Sequence, residues 1–343
     1  MRLRLDSLSK GIDTPTLDCG GTVHSVFQQA CNVSLENGIL ITLTSADIAN
    51  LPQGIRVQTP RRFSFLDYAR PGRRVTCGGG ILRIDGSDLL IDLRTARVWH
   101  RNLFDLRLDL RQAAIARAWS VAWAELLRHR HRAGPEATLG FQALLGPMTA
   151  SSMTQILLAH RAARSIGSLW QATCDLHADA ASRAIGLLIG LGAGLTPSGD
   201  DFVVGYLAGL GSSTMQIQPR LEFVALLGHT LSQLIARTND ISGAFLKSAI
   251  KGHFAEILAS LAQAIAEGRD SQNLRTATRA ALAVGASSGF EGVLGLLLGC
   301  TAWTVQQSQI ASVRARLSRM AVADFPTVDP TTADHRRGAP PIP

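Results

Sequence analysis

The chain is short of lysine, tyrosine and cysteine. Only three of its 34 basic residues are lysine (Lys10, Lys247, Lys251), and only two of its 343 residues are tyrosine. The five cysteines (Cys19, Cys31, Cys77, Cys174, Cys300) are odd in number and scattered, with no close pair. That argues against a disulfide framework or a zinc ribbon and favours a reducing compartment. The first eighteen residues lack the apolar core of a signal peptide. Two greasy stretches, 185–211 and 281–304, are interrupted by Ser198-Gly199-Asp200-Asp201 and by Glu291, so both are expected to be buried helices and not membrane spans. The histidines His24, His100, His160, His177, His229 and His253 show no ligand spacing, and His129 and His131 would not share a helix face. No metal or cofactor is therefore expected. A Gly-x-Ser-x-Gly elbow is missing, and with it any Ser/His/Asp set. These absences lead to a soluble, cytoplasmic, two-part protein.

Hydrophobic residues make up 46% of the chain and charged ones 17%, which supplies a sizeable core and excludes wholesale disorder. The net charge of +8 comes almost wholly from arginine, a bias that suits anionic ligands or simply follows genome base composition. The cluster Arg61, Arg62, Arg70, Arg73 and Arg74 has no interleaved aromatics, so it reads as a solvated face or subunit contact, with no nucleic acid implied.

The expected fold class is α+β: a small β-rich N-terminal module over residues 1–104, then a larger Gly/Ala-rich all-α domain over 105–320. Short β-branched runs at 21–26, 38–44, 54–58, 73–77, 80–84, 88–93 and 97–100 alternate with turn signals and predict a small antiparallel sheet or barrel. A helix at 23–31 competes for one of these runs. From about 105 the period becomes 3.6. Helices are expected at 110–131, 136–145, 150–165, 168–191, 197–211, 219–237, 241–251, 253–267, 271–284 and 288–304. Residues 321–343 are Pro-rich and aperiodic, as in a disordered tail.

The most informative stretch is Gly190-Leu191-Gly192-Ala193-Gly194-Leu195-Thr196-Pro197-Ser198-Gly199-Asp200-Asp201. An apolar helix runs into alternating glycines, then a polar turn, then a second apolar helix. Glycines permit positive φ and close backbone approach, proline suits a first helical turn, and free amides there attract anions. No lysine follows, so the stretch is not a P-loop. Ninety residues later the pattern returns: Ser198, Gly199, Asp201, Gly205 and Gly209 align with Ser288, Gly289, Glu291, Gly295 and Gly299. Such a repeat suggests two related helical hairpins whose Ser-Gly starts converge on one pocket. A plainer reading competes, because Ser-x-x-Asp and Ser-x-x-Glu are capping boxes and glycines four apart signal close packing. Asp200 is surplus to a capping box, and two adjacent carboxylates suit a metal, another cation or a substrate amide. A third segment, Arg237-Thr238-Asn239-Asp240-Ile241-Ser242, joins two helices, and Asn239 or Asp240 is expected to cap the second.

Gly194-Leu195-Thr196-Pro197-Ser198-Gly199-Asp200-Asp201, then Thr238-x-x-x-Ser242, then Ser287-Ser288-Gly289 with an acid two residues on, resembles the AllH-like family. Gly21-x-Val23-x-x-Val26-Phe27 and Asn37-Gly38-x-Leu40-x-x-Leu43 resemble its N-terminal half. Glu291 departs from the pattern, standing where an Asp is expected. The resemblance implies a subunit of oxamate carbamoyltransferase acting with AllF and AllG subunits in allantoin breakdown, in which oxalurate and phosphate give oxamate and carbamoyl phosphate. On it, Asp200, Asp201 and Ser198 are the candidate catalytic residues. Gly194, Thr196, Gly199, Thr238, Ser242, Ser287, Ser288, Gly289 and Glu291 would hold the anionic substrate. Two alternatives stay open: a non-catalytic scaffold subunit, and a stand-alone enzyme binding a small carboxylate or carbamoyl compound.

Overall fold

The computed structural model describes residues 3–15, 18, 20–132 and 153–303. The N-terminal strands are β1 (Leu3–Gly11), β2 (Gly20–Val26), β3 (Ala30–Leu35), β4 (Leu40–Ser45), β5 (Gly54–Val57), β6 (Arg74–Gly78), β7 (Ile81–Ile84), β8 (Leu89–Asp92) and β9 (Arg97–Trp99). They form a closed eight-stranded barrel in the order β1-β5-β4-β3-β2-β6-β7-β8 and back to β1, with β9 added beside β1. This corrects the expectation of a small β-rich module. Pairing is also mixed, since β1–β8, β4–β5 and β1–β9 are parallel.

Closure depends on one strand. Residues 3–6 of β1 pair with β8, and from Ser7 on the strand pairs with β5, with a register shift between Ser7 and Ser9. A single chain segment thus removes both sheet edges, which would otherwise expose unpaired amides. Alternating side chains fill the interior, among them Val23, Val33, Leu43, Ile55, Val75, Leu82 and Ile91, with Phe65 as a plug. The competing helix at 23–31 does not form, because its residues divide between β2 and β3. Buried Asn32 in β3 is tolerated because it accepts from the Thr42 hydroxyl (2.8 Å) and donates to Ser25 (2.9 Å).

A helical region follows: α1 (Ala113–Arg132), α2 (Met153–Cys174), α3 (Ala178–Leu188), α4 (Ser198–Ser212), α5 (Gln218–Leu234), α6 (Asp240–Ile250), α7 (Glu256–Ala266), α8 (Ser271–Leu282) and α9 (Ser288–Thr301). The expected helix at 136–145 and the expected tail lie outside the described residues. The expected helix at 168–191 is broken after Cys174. Leu176 takes a φ of 53°, and the His177 ring nitrogen accepts from Ala180 N to cap α3. Among the described residues no helix is long and apolar enough to cross a membrane.

The centre of this region is the α4–α9 pair. A Cβ at Gly205 would fall 2.0 Å from the Gly292 carbonyl oxygen, and one at Gly295 2.2 Å from that of Phe202. One turn on, a Cβ at Gly209 would meet Leu296 O at 2.3 Å, and one at Gly299 would meet Tyr206 O at 2.5 Å. The contacts advance together along both helices, so the two are parallel. Each contact also maps onto its counterpart by the ninety-residue offset, giving a local pseudo-twofold relation. Glycine is required because the helices touch backbone to backbone. The apolar residues on the remaining faces, such as Phe202, Tyr206, Phe290 and Leu297, are fully buried among α1, α3 and the other helices.

Candidate functional site

Because α4 and α9 are parallel, their N-termini lie at the same end, and the two copies of the Ser-Gly motif meet there. The Thr196 and Ser288 hydroxyls are 2.8 Å apart. The loop from α3 into α4 reaches this position through Gly190, Gly192 and Gly194, at φ of 74°, 116° and 104°, values that β-carbon-bearing residues adopt only with strain.

The helix starts are not capping boxes. Pro197 is the N-cap of α4 and Ser287 that of α9, and neither makes a side-chain cap bond. Ser198 and Ser288 are therefore first helical residues. Their acidic partners Asp201 and Glu291 stand at the fourth position, too far along for a capping box. The Gly199 amide donates to Leu191 O (2.8 Å) and the Gly289 amide to Val284 O (2.9 Å), so both are engaged within the protein. Those glycines also let each helix start press on the end of the helix before it: a Cβ would fall 1.9 Å from Leu188 O and 2.3 Å from Ala281 O.

The two adjacent aspartates have different surroundings. Asp200 is buried and its oxygens are both occupied: Oδ1 accepts from the Gly190 amide at 2.7 Å and Oδ2 from the Thr238 hydroxyl. It fastens the glycine loop to the segment between α5 and α6. Asn239 then caps α6 by accepting from Ser242 N (3.0 Å), which fixes Thr238 and buried Ser242. Asp201 points instead to the junction. Burial pushes its pKa up to about 7, the hydroxyls of Ser288 and Thr196 pull the other way, and the neighbouring Asp200 charge adds to the rise. Its Oδ2 is buried with no hydrogen-bond partner among the described residues. Glu291, its counterpart by the repeat, is fully buried in the first turn of α9.

The structure thus brings Thr196, Asp201 and Ser288 into mutual contact and joins Asp200 to Thr238. Ser198 lies buried under Gly192, whereas Gly194 is exposed at the loop tip. No cluster of three or more His, Cys, Asp or Glu among the described residues could hold a metal ion.

Residues 188–300 match the family model described as oxamate carbamoyltransferase subunit AllH, and residues 4–98 match the AllH family N-terminal domain. The chain belongs to the AllH family. The first AllH match opens on the last residue of α3 and closes within α9, so it holds the glycine loop and both helix starts. The N-terminal AllH match coincides with the barrel. The family description names a subunit of a carbamoyltransferase, so other subunits belong with it. No curated protein matches this AllH chain, and no solved structure does.

Sequence reasoning missed a second group of polar residues. Asp13, in the loop after β1, accepts from Lys251 Nζ (3.0 Å) and lies 3.0 Å from His253 Nδ1. Together with the bonds that the Asn50 amide (2.8 Å) and side chain (2.7 Å) donate to Glu256, it ties the barrel to the helices. No short-range pattern links residues 240 positions apart, so the sequence carries no signal for it.

Proposed function

We propose that this AllH-family chain is one subunit of a cytoplasmic oxamate carbamoyltransferase, working with AllF- and AllG-like subunits in allantoin nitrogen breakdown. In the forward direction a phosphate oxygen adds to the ureido carbonyl carbon of oxalurate. The bond from that carbon to the oxamate nitrogen then breaks, and the departing nitrogen takes the proton that phosphate gives up. Oxamate and carbamoyl phosphate leave.

The observation that carries this reading is Asp201, a carboxyl with a pKa of about 7 between two hydroxyls, where two parallel helices begin. A group that is half-protonated at neutral pH can take the phosphate proton and return it to the nitrogen. The positive ends of α4 and α9 favour negative charge developing on the carbamoyl oxygen. Thr196 and Ser288 orient the Asp201 carboxyl, and Asp200 is a positioning residue that holds the glycine loop. A scaffold role is the second reading, favoured by the engaged amides of Gly199 and Gly289. There the partners would hold the reacting atoms.

Oxamate-dependent carbamoyl phosphate consumption, measured for the chain alone and after co-expression with AllF- and AllG-like subunits, tests the proposal. Turnover confined to a co-eluting complex is the expected result. No co-elution and no turnover with folded partners would overturn it, and turnover by the chain alone would replace it with the stand-alone enzyme.

A further inference from the structure

The arginine-rich segment between β5 and β6 has no part in the helix junction. Residues 60–74 carry Arg61, Arg62, Arg70, Arg73 and Arg74 against one acid, Asp67, so half of the chain's net charge of +8 falls in fifteen residues. Its place follows from β5. That strand begins beside the turn where Asp13 N donates to Pro52 O (2.8 Å), the Asp13 that ties the barrel to the helices, and it ends at Val57. At the far end the segment closes the barrel. Phe65 plugs the interior, and its amide donates to Gln28 O (3.0 Å) in the turn between β2 and β3.

All five arginines are exposed, and among the described residues none of them has an ion pair. Elsewhere the chain gathers arginines on carboxylates, two on Asp92 and three on Glu125. Here Arg70 donates to the carbonyls of Leu66 and Ala69, and no described carboxylate answers the other four. Two large apolar side chains stand bare at the same end, Leu66 at 47% exposed and Phe27 at 37%. The turn that opens the segment is strained as well. Phe63 N donates to Pro60 O (3.2 Å), and Arg62 takes a φ of 64°, a conformation in which glycine would cost less. An arginine kept there at the expense of stability points to use.

We infer that this end of the barrel is the docking face for an acidic surface on another subunit of the carbamoyltransferase, an inference that rests on the subunit reading above. Exposed apolar side chains among arginines are the make-up of a protein interface. The rings of Phe63 and Tyr68 stack on each other (5.2 Å between centroids), so neither is open to interleave with nucleic-acid bases. The unanswered guanidiniums steer and hold an acidic partner, and the association weakens as salt rises.

Titration of the full chain against AllF- and AllG-like subunits, with RNA as a second probe, tests the inference at low salt and at about 0.15 M. The wild type should bind at least one subunit, more weakly at the higher salt. The double variant Arg61→Glu/Arg73→Glu should weaken that binding by about tenfold or more and flatten its salt dependence. Arg62→Gly should weaken it severalfold with Tm unchanged or higher, which separates docking from folding. Subunit binding that the double variant leaves intact would overturn the inference while the subunit reading stands. RNA binding lost in the double variant, with subunit binding intact, would also overturn it and assign the face to a polyanion. No subunit binding by the wild type would remove the subunit reading and this inference with it.

Discussion

Gly209→Ala is the sharpest test of how the two motif-bearing helices are held. The added Cβ would lie 2.3 Å from Leu296 O, 2.8 Å from Cys300 N and 2.9 Å from the Gly299 Cα. All three are backbone atoms of α9, so no side chain can swing away. Relief requires the helices to part by about 1 Å over a region packed as densely as a crystal. Overpacking of this kind costs about 1–3 kcal/mol or more, offset by about 0.5–1 kcal/mol from replacing glycine within a helix. A net loss of about 1–2 kcal/mol is expected, which lowers Tm by about 2–8 °C in a domain of this size. Gly167→Ala is the matched control. It lies within α2 and a Cβ there meets nothing within 4 Å, so only the helix gain of up to about 1 kcal/mol applies. Thermal melts of the two variants and the wild type decide the matter. Equal melting points for Gly209→Ala and wild type, or equal losses in both variants, would refute the backbone contact.

Asp200→Ala removes the acceptor of both the Gly190 amide and the Thr238 hydroxyl and should cost about 2–4 kcal/mol, seen as a lower denaturant midpoint. The raised pKa of Asp201 means the folded state holds a proton that the unfolded chain has lost between about pH 4 and pH 7. Stability from this group therefore falls as pH rises through that window, and Asp201→Asn should flatten the decline; identical slopes in the two proteins would contradict the assignment. Asp13 behaves oppositely. Burial raises its pKa, but hydrogen bonds from Ser248, Lys251 and His253 outweigh that and hold it below the ordinary value. Its contribution is present above the unfolded pKa and is lost as pH falls through the depressed one. In Asp13→Asn the acid transition of the barrel–helix contact, followed by hydrogen exchange at β1 and α6, should therefore be shallower.

The helical region was legible because its packing follows sequence period, and the 3.6 period marked the helices that became α4 and α9. Barrel closure was not. It rests on β1 pairing with β8 over residues 3–6 and with β5 from Ser7 on, between residues some fifty and eighty positions apart, and no strand was expected at 3–11. β3 escaped notice because Asn32 interrupts its apolar run, and that residue is satisfied by partners on the neighbouring strands β2 and β4. At the junction, the motif named Thr196, Asp201 and Ser288. Their roles depended on geometry that spacing does not hold. The capping-box pattern failed by one residue, since the helices begin after Pro197 and Ser287. Asp200 and Asp201, alike in sequence, were separated only by the Gly190 amide and Thr238 hydroxyl facing one of them.

The central claim is that Asp201 moves the proton in carbamoyl transfer. The most direct measurement is the pH–rate profile of the co-eluting complex carrying Asp201→Asn. The wild-type complex should show a limb near pH 7, and the variant should lose that limb and about 10²–10⁴ in kcat while still co-eluting with its partners. Unchanged kcat and an unchanged profile in an intact variant complex would contradict the claim and leave the chain a scaffold.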